Sequence, residues 1–476
     1  MHWLRALPFS VMTLGACVSA RDPRPPHPPN VILIVTDDQG WADLGCQGAS
    51  SIATPRIDRL AREGLRMTDF YVAQPVCSAS RASILTGCYA NRVGISGALT
   101  PSSRHGLSSA ETTLAELARG RGYATAAVGK WHLGHLPQFL PTQHGFDRWF
   151  GVPYSHDMWP FHPDGPKPWV DLPWMRGESV VAYNASPSEL TRACSEEALA
   201  FVRECAATQQ PFFLYLAHPL PHVPLGTAPR FAGTSSYGPY GDVIQELDFE
   251  TGRLLDTLEE LGLTRDTLVI FTSDNGPWTP YGDHAGSTGP LRESKGTTFE
   301  GGVRVPFIAR WPGHIPAGRV SSAPAMTIDL LPTIARWIEA PLPELAIDGV
   351  DIGALLEGAL DEPAPRPLFF YYETNELQAL RYGRWKLHFP HQHRFTDEMP
   401  RASGGQPAEY PVRGIELALF DLARDIGERR DVALEHPLVV AQLRALADDM
   451  RARLGDSLTN TRGTENRAAG VVDDER

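Results

Sequence analysis

Two stretches of this chain are too apolar and too β-branched to lie anywhere but inside a sheet. Val31-Ile32-Leu33-Ile34-Val35-Thr36 runs without a polar break, whereas a strand with one wet face would alternate, so it reads as a central parallel strand covered on both sides. It ends in Asp37-Asp38-Gln39-Gly40. Thr267-Leu268-Val269-Ile270-Phe271-Thr272-Ser273 repeats the arrangement and ends in Asp274-Asn275-Gly276. Two more candidate strands, residues 123–128 and 211–217, run into Lys130-Trp131-His132 and into His218 and His222. Helical patterns over 109–119 and 242–261 lie between such runs. This alternation predicts an α/β fold: a large mixed, mostly parallel sheet with helices on both faces. Ligands of open α/β sheets gather at the C-terminal ends of the strands, the edge to which all four runs deliver polar groups.

Asp37, Asp38, Asp274 and Asn275 make an all-oxygen donor set, suited to a hard cation such as Ca²⁺, with Mg²⁺ the other candidate, and poorly suited to Zn²⁺. Taken one pair at a time, Asp and Asn beside glycine are ordinary turn residues. Cys77-Ser78-Ala79-Ser80-Arg81 opens a helix-compatible stretch after Pro75. Cys77 would sit at a helix N-terminus, with Arg81 one turn on the same side. These residues alone allow either a thiolate nucleophile or a structural cysteine. Lys130 and His132, two apart, would project to one face of an extended chain, although a surface lysine and a packed histidine are as easily imagined. His222 lies between prolines, and Lys295 in the glycine-rich 293–302. Each is a weak signal alone.

A formal charge of −13 argues against nucleic acid or anionic membrane as the main partner. Residues 1–20 have the layout of an export signal: Arg5, an apolar stretch, then small residues. Leu14-Gly15-Ala16-Cys17 would leave Cys17 as a lipidated N-terminus and a lipid anchor, while Val18-Ser19-Ala20 offers ordinary cleavage; the sequence leaves both open. Either way the expected location is outside the cytoplasm, as a periplasmic, cell-surface or secreted protein. Residues 21–29 read as a stiff Pro-rich tether. A single helix over 189–206 would hold Cys194 and Cys205 about 16 Å apart, too far for a disulfide. Cys46 and Cys88 could pair or remain free. A catalytic domain over 30–360 should precede a smaller α+β subdomain over 361–455, with strands at 369–373, 379–389 and 417–422, a helix over 436–453, and a flexible tail over 456–476.

Cys77-Ser78-Ala79-Ser80-Arg81 with Leu85-Thr86-Gly87 resembles the signature of the type I sulfatases, in the alkaline-phosphatase superfamily. Further blocks fit in the family's order: Thr36-Asp37-Asp38, Gly129-Lys130-Trp131-His132-Leu133-Gly134, Ser273-Asp274-Asn275-Gly276 and the run from Lys295 to Arg304. The block from Gly151 to Asp157 is similar to that of arylsulfatase A and the N-acetylgalactosamine-6-sulfatases. The resemblance implies that a formylglycine-generating enzyme oxidises Cys77 to formylglycine (3-oxoalanine) during export. One hydroxyl of the hydrated aldehyde would attack sulfur, and the other would help expel sulfate. It further implies a Ca²⁺ ion held by Asp37, Asp38, residue 77, Asp274 and Asn275. Arg81 and Lys130 would anchor the hydrate, and His132 would take its proton. Lys130, Ser155, His222 and Lys295 would contact the sulfate, with His222 protonating the departing alcohol. The substrate would be a sulfated glycan or another small sulfate ester. A phosphodiesterase or phosphonate hydrolase on the same scaffold is the alternative, and a catalytically dead glycan-binding protein a third. Cys88 departs from the family, many members of which carry Arg there. Trp159, Phe161 and His162 are candidates for stacking on a sugar.

Overall fold

The computed structural model of the protein describes residues 28–161, 165, 169–397 and 402–472. The export signal with Cys17, all of the tether except Pro28 and Pro29, and His162 lie outside the described residues. Ten strands form the main sheet: β1 (Asn30–Thr36), β2 (Leu65–Met67), β3 (Ala124–Lys130), β4 (Arg148–Val152), β5 (Pro173–Arg176), β6 (Ser179–Tyr183), β7 (Phe212–Ala217), β8 (Thr267–Ser273), β9 (Phe307–Arg310) and β10 (Arg319–Ser321). Their order is β10-β2-β9-β8-β1-β7-β3-β4-β5-β6. The five in the middle, β8, β1, β7, β3 and β4, are parallel; antiparallel pairing extends the sheet on both sides, and β10 closes one edge parallel to β2.

The burial of β1 explains its composition. Val31, Leu33 and Val35 enter one core and Ile32 and Ile34 the other, and none of the five is exposed. Helices α1 (Pro55–Arg62), α4 (Pro187–Thr208) and α5 (Pro239–Glu260) cover the second face; α2 (Cys77–Thr86), α3 (Leu114–Gly120) and α6 (Leu330–Trp337) cover the first. The helix expected from residue 109 starts later. Thr113 caps α3, its Oγ1 accepting from the Glu116 N–H while the Glu116 carboxylate accepts from the Thr113 N–H, and this reciprocal cap ends the loop.

The C-terminal domain carries an antiparallel sheet of β11 (Pro367–Tyr372), β12 (Glu376–Tyr382), β13 (Trp385–His388) and β16 (Ala418–Asp421), with α7 (Pro437–Leu454) packed on β12. A separate hairpin pairs β14 (His391–Arg394) with β15 (Val412–Ile415). The single strand expected over 379–389 is two strands joined by a turn at Gly383, whose φ is +59°. A buried polar network joins this domain to the large sheet. Glu300 accepts from Tyr71, Arg304 and Lys386; Arg304 and Arg381 both bind Asp69; Lys386 and His388 meet Glu428.

The segment after Gly455, expected to be flexible, packs on both domains over its described residues, 456–472. Val471 and Gly470 pair with the strand His105–Gly106. The Arg467 guanidinium binds Glu111 and lies 3.4 Å from the Cys88 sulfur, so the tail brings a guanidinium to the position that departs from the family. Cys46, Cys77, Cys88, Cys194 and Cys205 are all free thiols. Fully buried Asp456 anchors the tail by accepting from the N–H groups of Leu377 and Leu458 and from Arg451. Asp456→Ala would leave these donors without an acceptor and should cost about 3 kcal/mol. Urea unfolding measures this, and an unchanged midpoint would mean that the tail contributes no stability.

Candidate active site

The strand register brings the predicted groups to one edge. Thr36 stands opposite Ser273, so Asp37 and Asp274 leave adjacent strands side by side. Lys130 ends β3, and the loop after β4 carries Ser155. Gly129 makes the fit possible: its φ is +107°, and a Cβ there would fall 1.9 Å from the Ala217 carbonyl oxygen of β7.

Cys77 is the first residue of α2, as its position after Pro75 predicted, and all ten residues of this helix are buried. Its sulfur lies 3.6 Å from Asp37 Oδ1 and 3.5 Å from Lys295 Nζ. Arg81 holds Asp274 Oδ2 through Nε and Nη2, at 3.0 and 2.8 Å, and the Lys130 carbonyl through Nη1. Lys130 Nζ donates to Asp37 Oδ2 at 2.5 Å and to Ser155 Oγ at 3.0 Å. Lys295 Nζ reaches Asp38 at 2.7 Å and lies 4.7 Å from the Trp278 ring centre.

The histidines are held as neutral rings with defined tautomers. His132 Nε2 donates to the Leu99 carbonyl, leaving a buried, unpartnered Nδ1. Burial, followed by the Lys130 charge, keeps its pKa well below the usual value. Its φ of +61° turns the chain, so Lys130 and His132 do not share a face of an extended strand, yet both still reach the site. His222 Nδ1 donates to the Val223 carbonyl, and Nε2 lies 3.5 Å from Asp38 Oδ2. Burial and then Lys295 depress its pKa well below normal.

The Cys77 thiol is pushed up to about 12 by burial, which outweighs the attraction of Lys130 and Lys295. A thiolate nucleophile, left open by the local sequence, is therefore disfavoured. Asp38 is raised to about 7 by burial, with Asp37 and Asp274 adding to the shift. For Asp37, burial is overcome by Lys130 and by Arg81 and Lys295, and its pKa falls well below the carboxylate range. The donor set fits a cation. Asn275 Oδ1 is buried without a partner while its amide donates to Asp38, and donor atoms of Asp37, Asp38, Cys77 and His222 all lie within 4.8 Å of one another. Asp274 is already engaged, by the Asp38 N–H and by Arg81.

Residues 29–340 match the family described as Sulfatase, and 364–469 match the C-terminal region of aryl-sulfatase. The chain belongs to the sulfatase family. It is 41% identical to arylsulfatase A of Homo sapiens, over 91% of this chain and 89% of that one. It is also 41% identical to N-acetylgalactosamine-6-sulfatase of Sus scrofa, over 85% and 81%. Its fold is similar to that of the PsFucS1 sulfatase from Pseudoalteromonas sp., with a TM-score of 0.78, 28% identity and coverage of 93% and 92%. The protein is thus a sulfatase enzyme, hydrolysing sulfate esters.

A cavity of about 290 Å³ above Cys77 is lined by Cys77, His132, Ser155, His222 and Lys295, so the structure unites these predicted residues. Sequence reasoning missed Trp278 and three residues of the C-terminal domain, Tyr372, Glu373 and Arg394, which line the same cavity. Trp278 could have been suspected, four residues after Asp274. The other three carry no local signal. The expected aromatic loop is not part of this wall: Trp159 packs against the core and Phe161 is 62% exposed. In this sulfatase, made with the thiol intact and assayed with chelator, Cys77 should react with iodoacetamide roughly 10³-fold slower than free cysteine at pH 8. Mass spectrometry of the native protein tests this, and alkylation at the rate of free cysteine would refute the buried, protonated thiol.

Proposed function

We propose that this sulfatase removes sulfate from a sulfated carbohydrate or aryl sulfate, using formylglycine made from Cys77 by a formylglycine-generating enzyme and one Ca²⁺ ion. The observation that carries this reading is the convergence of Cys77, Arg81, Lys130, His132, His222 and Lys295 on one buried cluster, in which Asp37, Asp38, Cys77 and His222 bring donor atoms together and Asp274 and Asn275 adjoin Asp38. A pKa near 12 leaves residue 77 nearly inert as a thiol, whereas conversion to the aldehyde hydrate would supply the attacking hydroxyl. Asp37, Asp38, Asp274 and Asn275, with residue 77, would hold Ca²⁺, which would supply positive charge for the sulfate and for the ionised hydroxyl.

The remaining roles belong to the chain's own side chains. Arg81, fixed by Asp274 and the Lys130 carbonyl, orients residue 77 and Lys130. His132 keeps its proton on Nε2, so its unpartnered Nδ1 is the atom able to take a proton from the hydrate. Ser155 and Lys295, which line the cavity, would present donors to the sulfate oxygens, with Lys130 behind Ser155 adding its charge. His222 faces the cavity with Nε2 unprotonated, so it must gain a proton before it can give one to the departing alcohol. An anionic substrate beside the ring favours that uptake. The apolar, signal-like N-terminus supports export, and among the described residues no helix is long and apolar enough to cross a membrane. A carbohydrate substrate gains support from a structural neighbour, Ps i-CgsB, which has been solved in complex with k-i-k-neocarrahexaose and is 27% identical with a TM-score of 0.76.

Peptide mass spectrometry across Cys77 should show a loss of about 18 Da from the thiol form. Unmodified Cys77 in fully active enzyme would refute the nucleophile. Lys295→Ala should lower kcat/KM for an aryl sulfate by about 10² or more. Wild-type enzyme should cleave that ester faster than an aryl phosphate diester, and the reverse order would favour the phosphodiesterase reading.

A further inference from the structure

The cavity above Cys77 does not stop at the large sheet. Gly296, Tyr372, Glu373 and Arg394 line it on one side and also line a second cavity of about 440 Å³ beneath the β14–β15 hairpin. One continuous wall therefore leads away from the nucleophile. The first cavity is at the small end of the range for ligand sites, and the two joined fall well inside it.

Arg394 stands at the junction. Gly296, next to Lys295, has a φ of +78°, and a Cβ there would meet Arg394 Nη1 at 3.0 Å and the Tyr372 hydroxyl at 3.1 Å. Glycine thus lets the guanidinium lie directly on the Lys295 loop. Among the described residues, the Arg394 side chain makes no hydrogen bond or ion pair; its contact is with the Tyr410 ring, 5.7 Å away. A half-buried guanidinium has five donors to satisfy, and an arriving ligand oxygen would serve them. The second cavity holds another group of this kind. His391 is 5% exposed, its Nδ1 donates to the Phe389 carbonyl, and its Nε2 has no partner.

Apart from Arg394, the charged lining is acidic, Glu373, Glu376 and Glu416, and Gln392 and His393 add neutral polar groups. These carboxylates can accept hydrogen bonds from hydroxyls and would repel an anion. We propose that the second cavity is a subsite for a neutral sugar linked to the sulfated one, with Arg394 as the specificity-determining residue that donates to its oxygens. This rests on the reading of the Cys77 site as a carbohydrate sulfatase, and narrows the substrate to a sulfated saccharide of at least two units.

The test compares kcat/KM of the converted wild-type enzyme on four esters: an aryl sulfate, the sulfated monosaccharide that it cleaves fastest, and that sugar linked to a neutral hexose or to a hexuronate. The neutral disaccharide should exceed the monosaccharide by about tenfold and should also exceed the uronate. Arg394→Ala and Arg394→Gln, with unfolding midpoints like the wild type, should lose about 10- to 100-fold on the neutral disaccharide, and at least about tenfold less on the aryl sulfate. Equal losses on both, no gain from the second sugar, or preference for the uronate would overturn the subsite while leaving the sulfatase reading intact. Turnover of the aryl sulfate but of no saccharide would overturn both the carbohydrate reading and the subsite.

Discussion

Six charges share one buried place in this protein: Asp37, Asp38 and Asp274 against Arg81, Lys130 and Lys295. Taking such groups out of water costs several kcal/mol for each ion unless every one meets a partner in good geometry. The arrangement can therefore survive only on a scaffold that positions its donors and acceptors to within a few tenths of an ångström. Arg81 uses two nitrogens on Asp274 and a third on a backbone carbonyl, and Lys130 is shared between Asp37 and Ser155. The raised pKa of Asp38 and the unpartnered Asn275 oxygen mark the places where the protein's own cations fall short.

The rest of the fold is arranged around that demand. Parallel strands in aligned register end together, so residues hundreds of positions apart emerge side by side without any long loop reaching inward. Helix α2 is buried along its whole length, which fixes residue 77 and Arg81 against the sheet edge as a rigid unit. The C-terminal domain closes the cavity from above. It is held there by a second buried network around Glu300, in which Tyr71, Arg304 and Lys386 satisfy a single carboxylate. The run from Lys295 to Arg304 thus does two jobs. Its first residue faces Cys77, and Glu300 and Arg304 tie the two domains together.

Much of this is legible in the sequence. An unbroken β-branched run can only be a doubly covered strand, so the α/β class, the four site-bearing strands and the edge at which their polar ends meet all followed from local patterns. The motif around Cys77 and the order of the later blocks carried the family. Errors lay where competing local interactions decide: the start of α3 depends on a cap at Thr113, and the break between β12 and β13 on a left-handed glycine. The tail looked mobile because its polar residues have no periodicity, yet Asp456 and Arg467 find partners far away in the chain.

The sequence by itself determined the chemistry available: which groups can carry charge and which strands must be internal, because these depend on side-chain type and short-range spacing. Only the tertiary structure decided protonation, tautomer and the outer wall of the cavity. The neutral His222, the protonated Cys77 thiol and the placement of Tyr372, Glu373 and Arg394 over the Lys295 loop all arise from burial and from contacts between distant segments. Desolvation and long-range approach leave no trace in local sequence, since both are properties of what surrounds a residue rather than of the residue and its neighbours in the chain.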